Sequence, residues 1–273
     1  MSEQRFGKHY VFDDNPDVIE RKRLEMLERM QDPGTRRHLE GIQVGKGWRC
    51  LDIGAGLGSL ALWLSERVGP EGKVVATDIN TRFLSTLNVP NLKIRQHDIL
   101  KDDLEADHYD LVHCRAVLMH LAKPDQALKR MVKAVRSGGW ILIEEADYSS
   151  FSAVDPKYSG AKNFDSLHRY MFDAATSIGL SDNYIGRHVR GRIKELGLVD
   201  IHHEGRVLIH QGGEDSARFS QTILDVAKPN LLSFGICTEA EFEQTRHLYE
   251  DPSFAFIGAT LFSAWGQKPK YDE

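Results

Sequence analysis

Three cysteines are all that the 273 residues contain, Cys50, Cys114 and Cys237, and none stands in a metal or redox spacing. Two of them fall in apolar strands, where a small buried thiol acts as packing, so the chain is expected in a reducing cytoplasm. No uninterrupted apolar stretch approaches the ~18 residues of a membrane span, and the first residues lack the apolar core of a secretory signal. The net charge is −5 with no basic stripe, which argues against a nucleic-acid partner. The histidines include His168, His188, the pair His202-His203 and His210, but no H-x-x-x-H or H-E-x-x-H pattern, so no histidine-based metal site is expected. The length suffices for one sizeable core with an insertion or a small cap.

What is present starts at residues 51–58, Leu-Asp-Ile-Gly-Ala-Gly-Leu-Gly. An apolar strand runs into Asp52, then Gly54, Gly56 and Gly58 at alternate positions, then an amphipathic helix with Leu60, Leu64 and Val68 on one face. Glycines there let the backbone take positive φ and approach a ligand closely. The dinucleotide fingerprint G-x-G-x-x-G would need its third glycine at Ser59, so the G-x-G-x-G spacing suits a cofactor without a pyrophosphate. The next strand, Lys73–Asp78, ends in an acid 20 residues beyond Gly58, placed to accept hydrogen bonds from both hydroxyls of a ribose.

On these motifs the chain resembles the class I S-adenosylmethionine (SAM)-dependent methyltransferases, in the small-molecule branch similar to the ubiquinone/menaquinone enzymes. The resemblance is close over about residues 45–150. A third strand, 92–97, ends at Asp98-Ile99, where the family's acid meets the adenine amino group and an apolar neighbour covers the ring. A fourth, 109–115, leads through Arg115 into 116–121, similar to the segment under the cofactor. Ser137-Gly138-Gly139-Trp140 turns into a fifth strand, 141–145. The resemblance implies SAM as cofactor, held by Asp52, Gly54, Gly56, Gly58, Asp78, Ile79, Asp98, Ile99 and Arg115, with Tyr10 of an apolar tip closing over it.

The implied architecture is an α/β, Rossmann-like, seven-stranded, mostly parallel sheet with helices on both faces. Residues 1–44 read as a leading helical segment with Val18, Leu24, Leu27 and Met30 as its apolar face, and 45–273 as the SAM-binding domain. Helix 125–136 has Gly138 as its stop, and another helix covers 189–196. Strands at 207–210 and 254–265 would close the sheet as an antiparallel hairpin. Helices at 217–227 and 239–249 are interrupted by Lys228-Pro229-Asn230 and Gly235. Residues 146–186 form a helical lid carrying seven aromatic rings, which suggests a small, apolar or planar acceptor; those rings also suit a small core of the lid's own.

Methyl transfer from a sulfonium is an in-line displacement, and most of its acceleration comes from positioning. His120 is the candidate base for an acceptor with a high pKa, or else a histidine that shapes the cofactor loop. Glu144 and Glu145 point to opposite faces of their strand, so one is expected to be functional or paired and the other solvated. Glu145 is the candidate for stabilising a cation formed by methylation of a double bond. Oxygen and carbon methylation both stay open. So do a SAM-assisted cyclisation and, on the same fold, a nicotinamide oxidoreductase. A leading segment that reaches a neighbouring subunit would make a homo-oligomer.

Overall fold

Short apolar strands alternate with amphipathic helices along the first half of the chain, a pattern that folds into parallel strands joined by crossover helices. The computed structural model describes residues 16–270. In chain order its elements are helix α1 (Asp17–Gly41), strand β1 (Arg49–Ile53), helix α2 (Ser59–Val68), strands β2 (Lys73–Asp78), β3 (Leu92–Gln96) and β4 (Tyr109–Arg115), and helix α3 (Pro124–Ala134). There follow strands β5 (Val135–Asp147) and β6 (Ser152–Ala153), helices α4 (Ala161–Ser177) and α5 (Val189–Glu195), and strands β7 (Val199–Arg206) and β8 (Ile209–Gln211). Helices α6 (Asp215–Ser233) and α7 (Glu239–Leu248) and strands β9 (Ala255–Ile257) and β10 (Thr260–Gln267) complete the chain.

These elements form two compact units. One comprises Gln31–Glu145, Ile185–Glu204 and the chain from Phe262 onward. It carries the seven-stranded sheet, of order β3-β2-β1-β4-β5-β10-β7. The β1–β2, β1–β4, β2–β3 and β4–β5 pairs are parallel. The Gly138 N–H donates to the Lys268 carbonyl and the Lys268 N–H to that of Gly139, while Ser263 meets Glu144, so β10 runs antiparallel to β5. On one face Cys50, Val74, Ala76, Leu111 and Leu142 pack with Leu60, Leu64 and Val68 of α2 and with Leu39, Ile42 and Val44. Burying each such aliphatic side chain contributes roughly 1.5–3 kcal/mol.

The other unit comprises the described residues up to Met30, Ala146–Tyr184 and Gly205–Leu261. It holds a small sheet of order β6-β9-β8 and a core in which Phe164 and Phe172 of α4 pack with Leu224 of α6, Phe242 and Leu248 of α7, and Phe254 and Phe256. Of the expected lid, residues 146–184 therefore share one core with 205–261, while Ile185 and Gly186 belong to the first unit. Of the lid's seven rings, Phe164 and Phe172 are buried, Tyr148, Phe151, Tyr158 and Tyr184 are partly buried against that core, and Tyr170 is exposed.

The structure corrects several expected elements. The predicted strand at 207–210 is reduced to β8, which belongs to the small sheet, while the outer strand of the large sheet is β7. As an edge strand β7 exposes five of its eight residues and so lacks apolar alternation. The predicted strand at 254–265 breaks at Gly258-Ala259 into β9 and β10. Helix α3 ends at Ala134, before Gly138, which has φ 70 and lies within β5. Helix α6 continues through Pro229, which forfeits an N–H bond and crowds the preceding turn, and burial of Leu224 and Leu231 on either side offsets that cost. In α1 the buried face is polar: Val18 is 68% exposed, while Glu20, Arg23, Asp32, Thr35 and His38 are buried.

Candidate active site

The end of β1 turns sharply because Gly54, Gly56 and Gly58 all take positive φ, at 70, 58 and 88. The Gly54 and Ala55 N–H groups both donate to the Thr77 carbonyl, at 2.8 and 3.0 Å, which pins the turn to β2. A β-carbon on Gly54 would overlap Val117, and one on Gly58 would overlap Leu84 and Leu87. Two of the three glycines are thus required by the protein's own packing.

Asp78 ends β2 beside this loop. Its Oδ2 accepts from the Gly56 N–H at 3.1 Å and its Oδ1 from the Asn80 N–H at 3.0 Å. Burial pushes its carboxyl above the usual range, against the pull of those two amides. Next to it Ile79 stands 56% exposed. On the adjacent strand end, Asp98 accepts from the Leu100 N–H at 2.9 Å and pairs with Lys101 at 2.7 Å. Desolvation opposes its charge, but the Lys101 ammonium and the Leu100 amide outweigh that and hold its carboxyl below the ordinary value. Ile99, expected over a ring face, is instead 4% exposed and packed inward, which leaves Ile79 as the open apolar side chain on this rim.

Asp52 and Glu145 also do something other than expected. The Asp52 carboxylate is buried and meets His113 Nδ1 at 2.7 Å, so it supports the loop from beneath. Glu144 and Glu145 do lie on opposite faces, but neither is solvated; both are 0% exposed. Glu145 Oε1 accepts from the Val117 and Leu118 N–H groups at 3.0 and 2.7 Å, and its Oε2 from that of Met119 at 3.3 Å. It holds the segment after β4 in place. His120 is half-buried at the end of that 3-10 turn, its N–H donating to the Val117 carbonyl at 3.0 Å. Tyr10 lies outside the described residues.

A buried polar network crosses the same sheet end. Register places Asp52 beside His113 and Arg115 beside Glu144, all on the face whose apolar part is Cys50, Leu111 and Leu142. Glu144 Oε2 faces His113 Nε2 at 3.3 Å and accepts from the Thr35 hydroxyl at 2.5 Å; its Oε1 accepts from the Ser263 hydroxyl at 2.6 Å and faces His38 Nδ1 at 3.3 Å. Arg115 donates from Nη1 to Thr35 Oγ1 and from Nη2 to Asp32 Oδ1, both at 2.8 Å. Desolvation alone would raise the Glu144 carboxyl, yet His113, His38 and Arg115 hold it well below the usual range. For His113 desolvation is likewise outweighed, by Asp52 and Glu144, and its pKa is raised.

His113, Thr35, His38 and Ser263 were not among the expected site residues. The available signal was positional: Asp32, Thr35, His38, Leu39 and Ile42 recur at helical spacing, and Asp52, His113, Arg115 and Glu144 each stand two residues beyond an apolar position or another member of the set.

An adenosyl group fits these residues. Asp78 offers a carboxylate for a ribose diol, Ile79 an open apolar surface for a ring, Asp98 an acceptor for an exocyclic amine, and the loop approaches through glycines with left-handed backbones. The fold is the Rossmann-like one of class I SAM-dependent methyltransferases. The chain belongs to the family described as "Methyltransferase domain", whose model matches residues 9–203.

Among curated relatives, Methyltransferase str2 of Strobilurus tenacellus is 29% identical over 157 residues, 57% of this chain and 56% of that protein. The ubiquinone/menaquinone biosynthesis C-methyltransferase UbiE of Pseudomonas paraeruginosa is 30% identical over 160 residues, 56% of this chain and 61% of that one. Each match spans less than two thirds of the relative's length. Among solved structures, the YcgJ protein of Bacillus subtilis aligns with TM-score 0.54 at 16% identity, over 86% of this chain and all of that one. Haemonchus contortus phosphoethanolamine N-methyltransferase 2, bound to phosphomonomethylethanolamine and S-adenosylhomocysteine, aligns with TM-score 0.51 at 15% identity, over 92% of this chain and 53% of that one. These two likenesses are of fold. Among the described residues no helix is long and apolar enough to cross a membrane.

Proposed function

We propose that the chain transfers the methyl group of SAM to an oxygen or carbon atom of a small, largely apolar or aromatic metabolite. The observation that carries the cofactor half of this reading is the Gly56–Asp78 hydrogen bond beside the open Ile79. The acceptor half is supported by the relatives, one of which is named as a C-methyltransferase of quinone biosynthesis, and by the absence of a basic stripe. The aromatic rings of 146–186 support it less than their number suggests, since the core takes up two fully and four in part.

Bound SAM supplies a methyl group already activated on a sulfonium, so the protein's task is orientation and exclusion of water. Asp78 and the glycine loop would hold the nucleoside end, and the Glu145-anchored segment 117–119 would fix the floor beside Gly54. Such positioning can lower the barrier by roughly 7–11 kcal/mol in favourable cases. His120, at the end of that segment, would take a proton from a hydroxyl acceptor.

Incubation with methyl-labelled SAM and a panel of phenols, quinols and carboxylic acids tests the reading. Labelled product formed one-for-one with S-adenosylhomocysteine supports it. Turnover of an acceptor without release of S-adenosylhomocysteine would replace methyl transfer by a SAM-assisted rearrangement, and tight binding of NADH with none of SAM would overturn the cofactor.

A further inference from the structure

The buried contacts join into one chain. The Arg115 Nη1–H donates to the Thr35 hydroxyl at 2.8 Å, and that hydroxyl donates to Glu144 Oε2 at 2.5 Å. Glu144 Oε2 in turn faces His113 Nε2 at 3.3 Å, and His113 Nδ1 faces Asp52 Oδ1 at 2.7 Å. Both His113 nitrogens face carboxylate oxygens, and an ionised carboxylate only accepts, so both nitrogens carry protons and the ring is an imidazolium. The chain runs from the guanidinium at the end of β4 to the residue that precedes the glycine loop, and its central hydroxyl comes from α1.

Asp32 bridges two guanidinium groups, accepting from Arg115 at 2.8 Å and from Arg36 at 3.1 Å. Arg115, Arg36 and the His113 imidazolium are matched by the carboxylates of Asp32, Glu144 and Asp52, and Arg36 Nε is a buried donor with no acceptor among the described residues. Arg115 itself uses two of its five N–H donors on α1. A guanidinium with N–H donors left over and its plane fixed by two contacts on α1 is suited to a carboxylate.

We propose that Thr35 is a positioning residue for the amino-acid carboxylate of the cofactor: its hydroxyl, anchored on Glu144, aims the Arg115 guanidinium at that group. This rests on the SAM reading above. A valine at position 35 has nearly the shape of threonine but can neither accept from Arg115 nor donate to Glu144. It therefore removes one of the two contacts that fix the guanidinium plane, leaving the Asp32 contact and the Asp78–Gly56 bond in place.

Calorimetric titration with two ligands separates this role from a general one. S-adenosylhomocysteine carries the amino-acid carboxylate, whereas 5′-methylthioadenosine has the same nucleoside and thioether without it. Thr35→Val is expected to weaken S-adenosylhomocysteine by about tenfold or more while methylthioadenosine stays within about twofold, and Thr35→Ser, which keeps the hydroxyl, is expected to bind both as the wild type does. Equal weakening of both ligands, or of neither, overturns the proposal. If the wild type binds methylthioadenosine and S-adenosylhomocysteine equally well, the cofactor reading stands and the proposal fails; if it binds neither, both fail. Should Thr35→Val not fold, Arg115→Lys provides the same two-ligand comparison. Independently, the two ring nitrogens of His113 should both show the 15N shifts of a protonated imidazolium from pH about 6 to 8, and a neutral-tautomer pattern there would break the chain at its centre.

Discussion

The side chain of Val117 fills the space that a β-carbon on Gly54 would need. The first glycine of the loop and the second residue after β4 are therefore complementary in shape, quite apart from any ligand. Gly54→Ala is expected to lose roughly 2–4 kcal/mol, from overpacking together with a left-handed backbone at φ 70. Urea unfolding measures it. Adding Val117→Ala should restore the overlap part and leave the backbone part, and a Gly54→Ala protein as stable as wild type would refute the packing account.

Asp78 gives a different kind of prediction, because its carboxylate is tied to the loop through the Gly56 amide. Asp78→Asn should weaken S-adenosylhomocysteine by about 10- to 100-fold, the usual worth of a hydrogen bond to a charged group. Burial raises the Asp78 pKa, so this carboxylate protonates at a higher pH than an ordinary aspartate does. Across the acid range, wild-type affinity should accordingly start to decline at a higher pH than an ordinary aspartate would give, with a flatter profile in Asp78→Asn. Titrations across that range decide it, and parallel profiles for the two proteins would exclude Asp78 as the group.

How far the site was legible in the sequence follows from where each signal lives. Strands β1 to β5 and the acids at their ends could be read because parallel-strand chemistry is local: apolar run, acid, turn. Strand β7 could not, since an exposed edge strand carries no alternation, and Pro229 read as a break because tertiary burial of Leu224 and Leu231 is invisible in a window. The direction of the Asp52 carboxylate depends on His113, 61 residues away. The polar inner face of α1 was masked by a sparse apolar pattern at Val18, Leu24, Leu27 and Met30 that the fold leaves exposed or half-buried. Aromatic enrichment in 146–186 was real, but it reports chiefly the core shared with 205–261.

Glu145 accepts from three consecutive backbone amides, those of Val117, Leu118 and Met119. Removing the carboxylate leaves buried donors without that acceptor, each worth about 1–3 kcal/mol. Glu145→Ala should therefore speed hydrogen exchange at these three amides far more than at β1, and Glu145→Gln, which keeps one acceptor oxygen, should lie between it and wild type. A uniform change across the sheet would show global destabilisation rather than release of this segment.

In the other unit, His168 is buried with Nδ1 2.7 Å from the Phe164 carbonyl and Nε2 2.6 Å from the Tyr249 hydroxyl. A carbonyl only accepts, so Nδ1 bears the proton; burial disfavours a second one, which leaves the ring neutral with Nε2 accepting from Tyr249. Desolvation by burial lowers its pKa from 6.5 to about 4. Between those two values the unfolded chain holds a proton that the folded chain refuses, so stability falls as pH drops through the window and is recovered as pH rises to 6.5. The full shift corresponds to about 3 kcal/mol. Replacing both partners, His168→Leu with Tyr249→Phe, removes the titrating group without stranding a polar atom, and the double variant should lose this part of the pH slope between 6.5 and 4. Denaturant unfolding at several pH values measures the slope in each protein, and equal slopes would assign the acid sensitivity to other groups.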